Sequence, residues 1–217
     1  MTKFNKNDAD KWYLRNEMQL LSANEDVISQ TLNTIFSKYV KRGSNILEIG
    51  CGDGIRINQL TELLACKGFG VDLSPCAIAS GKTKYPNVTL LEADANSLPF
   101  ESQKFDAVYL GFFLYLIDRN NYLRVLSEAD RVLNDGGYLG ILDFDVPNYY
   151  SNTYAPNPEL KSFKMDNSKV FTSSGLYTLV EKSSFQHSSH NFASNLDERI
   201  SLQILRKETL FQGKYND

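Results

Sequence analysis

The stretch Ile46-Leu47-Glu48-Ile49-Gly50-Cys51-Gly52-Asp53-Gly54 decides how this chain folds. Its first four residues make a short apolar strand whose one polar member is Glu48. Three glycines follow at alternate positions. An amphipathic helix begins directly behind them, with Ile57, Leu60, Leu63 and Leu64 on one side. Glycine reaches backbone angles closed to other residues and lets a ligand touch the main chain. A helix N-terminus behind such a loop presents unpaired N–H groups, suited to an anionic ligand group. The next apolar segment, Phe69-Gly70-Val71, ends in Asp72, 22 residues after Gly50. In a βαβ unit that spacing sets a carboxylate at the tip of the second strand, where it can grip a ribose diol. These residues read as a holder for a nucleoside-like cofactor.

A dinucleotide fold needs G-x-G-x-x-G, whose last glycine lets helix and strand pack closely around a pyrophosphate. Ile55 occupies that place, and the pattern is G-x-G-x-G preceded by Glu48. E-x-G-x-G-x-G resembles the first motif of the class I S-adenosylmethionine-dependent methyltransferases. The resemblance covers residues 43–207 and implies a loop fitted to the methionine end of S-adenosylmethionine.

Working outward, residues 8–22 and 25–41 read as amphipathic helices, the second with Val27, Ile28, Leu32, Ile35, Phe36 and Tyr39 at helical spacing. Strands are expected at 45–49, 68–72, 88–91, 105–110 and 138–144. Ser74-Pro75 supplies a helix start. A helix over 120–133 should turn Tyr122, Leu123, Leu126, Ala129, Val132 and Leu133 to the sheet. Strands alternating with helices imply a parallel sheet covered on both faces. After an expected helix at 174–183, segments 185–192 and 199–206 leave no room for a helix between them and read as an antiparallel pair. The methyltransferase resemblance implies the α/β Rossmann-like, three-layer α-β-α sheet with order 3-2-1-4-5-7-6, strand 7 being antiparallel. We expect residues 1–42 to form N-terminal helices closing over cofactor and substrate, and 43–217 the methyltransferase domain. Residues 145–173, with three prolines and no clear periodicity, would be a substrate lid inserted at the ligand-binding edge, with a dimerisation arm as the competing reading.

The chain has 217 residues, enough for one substantial α/β domain, and is 42% apolar. A net charge of −3 and the absence of a long basic run disfavour a nucleic-acid partner. Cys51, Cys66 and Cys76 form no CxxC pair, and no histidine stands at metal-ligand spacing, so no metal is expected. The sparse cysteines fit a reducing compartment. The polar first ten residues do not read as a signal peptide. The longest apolar run, 107–117, is too short for the roughly 20 residues of a membrane span. A cytoplasmic monomer or homodimer without a membrane partner is expected.

The resemblance carries roles onto particular residues. Glu48, Gly50, Cys51 and Gly52 would form the cofactor loop, with Asp72 and Leu73 at the ribose. Asp94 would accept the adenine amino group and the Ala95 N–H would reach a ring nitrogen. Phe105 to Gly111 resembles the family's fourth motif, which puts Leu110 beside the sulfonium. Trp12 and Arg15 would belong to a lid over the cofactor. The family often has a histidine where this chain has Tyr115, and an ordinary tyrosine with a pKa of about 10 is a poor base near neutral pH. Asp143 and Asp145, at the end of strand 5, join Tyr115 as candidate catalytic groups, although each aspartate also suits a loop cap. Tyr149, Tyr150 and Tyr154 are the candidate substrate contacts. His187 and His190, on the expected late strand, read as exposed on one face.

The expected activity is that of an enzyme, a methyltransferase moving the methyl group of S-adenosylmethionine to oxygen or nitrogen of a small-molecule acceptor, such as a sugar or specialised metabolite. Two alternatives stand beside it: a catalytically silent binding or scaffold protein on the same fold, and an NAD(P)-dependent oxidoreductase.

Overall fold

The computed structural model describes residues 3–21 and 26–209. Five strands run parallel: β1 (Asn45–Ile49), β2 (Lys67–Asp72), β3 (Thr89–Glu92), β4 (Phe105–Gly111) and β5 (Leu133–Phe144). A separate antiparallel hairpin, β6 (Tyr150–Thr153) and β7 (Lys161–Lys164), follows β5. The last two strands, β8 (Tyr177–Gln186) and β9 (Arg199–Lys207), complete a seven-stranded sheet in the order β3-β2-β1-β4-β5-β9-β8. β9 is antiparallel to both of its neighbours. With the hairpin set aside, this is the order 3-2-1-4-5-7-6 with its reversed strand.

Alternation within the strands sorts the core into two layers. Ile46, Ala107 and Tyr109 point to one face. There they meet Leu32, Ile35 and Phe36 of α2 (Val27–Tyr39), Ile57 and Leu60 of α3 (Ile55–Leu64) and Ile78 of α4 (Pro75–Lys84). Leu47, Ile49, Val108 and Leu110 point to the other face, against Val125, Leu126, Ala129 and Val132 of α5 (Arg119–Val132). Strands covered on both faces are near-continuously apolar, as these are. Leu63 was read on the apolar side of its helix and Leu123 as facing the sheet, but both are more than half exposed. Because α2 is built into this core, it belongs to the body of the domain. α1 (Lys6–Leu21) instead packs on α4.

Local signals set the helix starts. Asp26 accepts from the Ser29 N–H (2.6 Å) and Ser74 from the Ala77 N–H (3.0 Å), each satisfying an otherwise unpaired donor.

Two expected elements are corrected. The helix read at 174–183 is the strand β8, and the helical turn lies earlier, at α6 (Ser168–Ser173). β8 is an edge strand with a bulge between Leu179 and Glu181, so its apolar residues are buried irregularly and the period of two is lost. The strand expected at 185–192 therefore ends at Gln186. Segment 145–173, read as lacking regular structure, contains the hairpin and α6. Its strands are short and polar, which hides them from a hydrophobic-pattern reading.

Candidate functional site

Two joined cavities open at the carboxyl ends of β1, β2 and β4. The larger, of about 430 Å³, has Gly50, Cys51, Gly52 and Asp72 on one wall and Trp12, Tyr13 and Asn16 of α1 across it. Asp26, Ile28 and Arg56 close a third side, and Gly111, Phe112, Tyr115 and His187 form the far wall. The smaller, of about 80 Å³, lies between Val71, Leu73, Ala93, Asp94 and Ala95 and the side chains of Phe113 and Ile117. Both touch Gly50, Asp72 and Leu116, so they form one bent channel.

The glycine loop is held in a left-handed backbone. Gly50 has φ +76° and Gly52 +56°. A Cβ on Gly50 would stand 2.6 Å from Phe113 Cδ1, whereas one on Gly52 would meet nothing nearer than Leu20 Cδ1 at 4.0 Å, and Gly52 and Leu20 both line the larger cavity. Asp72 fixes the loop's position: its Oδ2 accepts the Gly52 N–H and its Oδ1 the Ser74 N–H, both at 2.8 Å. A carboxylate has about four lone-pair sites, so two bonds leave acceptor capacity for a diol. Burial raises the Asp72 pKa.

Glu48 sits beneath the loop rather than in it. Its side chain is buried, its Oε2 accepts the Ile57 N–H (3.1 Å), and burial pushes its pKa up to about 8. It braces the first turn of α3 and lines neither cavity. Cys51 does line the larger cavity, but burial raises its pKa well above the ordinary thiol value, which leaves it a poor nucleophile.

α1 bridges the opening. Asp10 accepts from Ser74 Oγ and the Cys76 N–H at the start of α4, and the Tyr13 hydroxyl bonds Ser80 (2.9 Å). Toward the hairpin, Arg15 donates to the Tyr154 hydroxyl (2.9 Å) and Asn157 Nδ2 donates to Asp8 (3.0 Å).

The structure brings Gly50, Cys51, Gly52, Asp72, Leu73, Asp94, Ala95, Trp12 and Tyr115 to this channel. Several expected roles are corrected. Leu110 is fully buried in the α5-side core, and Gly111 replaces it at the cavity. Arg15 is engaged with Tyr154 outside the larger cavity. Asp143 is 2% exposed and spends its oxygens on the backbone N–H groups of Phe144 (2.7 Å) and Tyr115 (3.2 Å), with burial pushing its pKa up to about 7. It holds the turn that carries Tyr115 and does not face the cavity. Asp145 binds Lys182 (2.8 Å) and Ser184 (2.6 Å), which tie the end of β5 to β8. Of the substrate tyrosines, Tyr149 lines a different cavity beside Tyr122 and Met165, and Tyr150 donates to Asp197 (3.0 Å). Tyr154 packs edge-on behind Tyr115, with ring centroids 6.5 Å apart. Burial raises the Tyr115 pKa above its already high ordinary value, which makes it a poorer base than an exposed tyrosine.

His187, Arg56 and Phe112 were missed. β8 runs parallel to β5, so His187, just past its end, arrives at the ligand-binding edge; placing a strand over 185–192 hid this. Phe112 sits at φ +58° in the turn after β4, packed on Tyr115 (5.1 Å), Phe144 (5.3 Å) and His187 (5.0 Å). Arg56 extends from α3 to Asp26 (3.0 Å), so the cation lining the cavity is already ion-paired.

A family model described as a methyltransferase domain matches residues 46–137, the segment that holds the loop, Asp72, Asp94 and β4. Over residues 46–137 the chain therefore carries a methyltransferase domain of the class I S-adenosylmethionine-dependent kind. The methyltransferase segment is 34% identical over 135 residues to the ubiquinone/menaquinone biosynthesis C-methyltransferase UbiE of Campylobacter jejuni, covering 58% of this chain and 56% of that one. It is 36% identical over 113 residues to the demethylmenaquinone methyltransferase of Staphylococcus saprophyticus, covering 50% and 48%. The chain spans about half the length of the curated relatives it matches. In fold, the methyltransferase domain is similar to the [4+2]-cyclase SpnF (TM-score 0.73, 15% identity, 96% of this chain and 99% of that one). It is also similar to the 1,6-didemethyltoxoflavin-N1-methyltransferase of Burkholderia thailandensis (TM-score 0.68, 14% identity, 96% and 93%). The family match displaces the NAD(P) alternative, in keeping with Ile55 where a dinucleotide fold needs glycine.

Proposed function

We propose that this chain methylates a small, flat, hydroxylated aromatic acceptor, using S-adenosylmethionine held along the bent channel. The observation that carries this reading is the channel's two-ended chemistry. One end joins an apolar slot bearing Asp94 to the Asp72 carboxylate and the glycine loop; the other is a wall of Phe112 and Tyr115 backed by Phe144. The fit to the cofactor rests on the open space above Gly52 and the spare acceptor capacity of Asp72. In this reading Asp94 and the Ala95 N–H receive the adenine edge, Asp72 the ribose diol, and the Gly50–Gly52 backbone the methionine portion. Bound S-adenosylmethionine supplies an electrophilic methyl group.

The residues of the chain position and exclude water. Trp12 and Tyr13 cover the channel, while Phe112 and Tyr115 offer ring faces on which a planar acceptor can lie. Alignment of this kind supplies much of the rate of a bimolecular displacement. The names of the curated relatives add carbon to the oxygen and nitrogen acceptors expected from the sequence. Closure by α1 and the 145–173 segment is part of the proposal, supported by the Arg15–Tyr154 and Asp8–Asn157 bonds between them. No helix among the described residues is long and apolar enough to cross a membrane, which suits an acceptor taken from solution or from a membrane surface.

Calorimetry with S-adenosylmethionine and NAD, followed by assay of S-adenosylhomocysteine release with catechol, 1,4-dihydroxynaphthalene and a hydroxylated sugar, tests the reading. Tight S-adenosylmethionine binding and product with an aromatic member are expected. Binding without release from any acceptor would instead favour the silent scaffold, a real alternative because a fold does not fix a chemistry.

A further inference from the structure

The far wall of the larger cavity carries one imidazole, His187, at the cavity mouth. Its ring stands edge-on to Phe112 with centroids 5.0 Å apart and 6.2 Å from Phe144. The other acids near the cavity are already committed. Asp143 and Asp145 are bound to backbone amides and to Lys182 and Ser184. Asp26 caps α2 and holds Arg56, and Asp72 holds the loop. Among the described residues no hydrogen bond engages His187.

We propose that His187 accepts the proton lost by the methyl acceptor, which makes the acceptor a phenol, hydroquinone or enol whose O–H must ionise before attack. The inference rests on the methyltransferase reading and extends it to a residue and a substrate class. The acceptor's oxygen, or the ring carbon that its oxygen activates, forms the new bond to the methyl group. The electron pair of the broken bond stays on sulfur, and the acceptor's proton passes to His187. Attack by carbon then releases the ring proton to water as aromaticity returns. A neutral amine acceptor has a free electron pair and needs no base before attack, so a base here selects for O–H acceptors.

The surroundings favour the neutral form of the imidazole. The aromatic wall strips water from it, which holds its pKa below the ordinary value. The positive charges of Lys164 on β7 and Arg56 on α3 push the same way, while Glu198 ahead of β9 opposes them. Its exposed edge leaves a route for the proton to solvent.

The chain has two histidines, and the second, His190, bonds Gln30 (3.0 Å) outside the cavity, so ¹⁵N imidazole spectra separate them. Titration of the S-adenosylhomocysteine complex with and without catechol or 1,4-dihydroxynaphthalene should move the His187 curve and leave that of His190 in place. For whichever acceptor turns over, His187→Gln should cut kcat by roughly 10²–10⁴-fold, the span of general-base catalysis, at unchanged KM for S-adenosylmethionine. It should also remove the acid limb of the pH profile, and added imidazole should restore part of the activity of His187→Ala. Equal kcat and pH profile in His187→Gln, or a His187 resonance blind to every phenol, overturns the inference while methyl transfer stands. Cofactor binding with no product from any acceptor overturns the methyltransferase reading itself, and the spectra then still report whether a phenol meets His187.

Discussion

The glycine loop allows stability and cofactor binding to be separated by two substitutions two residues apart. Gly50→Ala and Gly52→Ala both force an alanine into a left-handed backbone, at a cost of ~1–2 kcal/mol each. They differ in what the new methyl group meets. At residue 50 it would stand 2.6 Å from Phe113 Cδ1 and 2.9 Å from Cγ, inside a packed wall. Relief requires moving the Phe113 ring or the loop, and overpacking of this kind adds ~1–3 kcal/mol. At residue 52 the nearest atom is Leu20 Cδ1, 4.0 Å away, and both residues line the larger cavity, where the added methyl has room. For a chain of this length each kcal/mol lowers Tm by ~2–4 °C. Gly50→Ala should therefore lose ~4–20 °C and Gly52→Ala ~2–8 °C, the two sharing the backbone part of the cost. Binding should rank the other way: Gly52→Ala blocks the space assigned to the methionine portion and should lose most S-adenosylmethionine affinity while remaining folded. Thermal unfolding and calorimetry on the two variants provide the test. A Gly52→Ala protein that binds as the parent does would refute the placement of the cofactor against this loop, and a Gly50→Ala protein as stable as Gly52→Ala would refute the clash.

Three further outcomes follow from the same geometry. Asp72→Ala should weaken S-adenosylmethionine binding by roughly ten- to a hundredfold, the cost of a lost charge-assisted hydrogen bond of about 1.5–3 kcal/mol, as read by calorimetry. It should also lower Tm, because the Gly52 and Ser74 amides lose their acceptor. Glu48 has its folded pKa raised to about 8, so the folded state binds that proton more tightly than the unfolded chain. Its contribution is full below the unfolded value of 4.5 and is lost as pH rises toward about 8. Glu48→Gln should flatten the decline of stability across that window, and denaturant titrations at pH 5 and 8 that show the same loss as the parent would contradict this. Tyr154→Phe removes the acceptor for Arg15. Hydrogen exchange in 145–173 should then rise in the free protein, while the parent should gain protection with cofactor and acceptor together. Protection that instead rose with protein concentration would assign the segment to a dimer interface.

What could be read from the sequence was what is settled locally. The strand–glycine–helix start, the Ser74 cap, the parallel sheet and the placement of Asp72 and Asp94 depend on neighbours a few residues away, and the structure brings each to its expected position. Readings failed where the deciding partner is distant in sequence. Asp143 ends β5 as expected, but its carboxylate is taken by the Tyr115 amide, 28 residues earlier. Asp145 is taken by Lys182, 37 residues later. Nothing in either aspartate's own neighbourhood announces these partners, and each one removes a catalytic candidate.

The acceptor end shows the same dependence on long-range geometry. His187 becomes a site residue because β9 reverses direction and so returns β8 parallel to β5, with Gln186 paired to Arg199 just past the Phe144–Ile200 pair. A strand that ends level with Phe144 must deliver its next residue to the edge where Phe112 and Tyr115 wall the cavity. Shifting β8 by the eight residues of the initial reading would carry that histidine back along the sheet, away from the channel. The cofactor half of the channel is thus written mostly in short local motifs, the glycine loop and the ends of β2 and β3. The acceptor half is assembled from the turn after β4, the end of β5 and the end of β8, whose meeting depends on strand direction and register. Substitutions that alter acceptor choice should therefore fall at Phe112, Tyr115 and His187, and leave S-adenosylmethionine affinity in place.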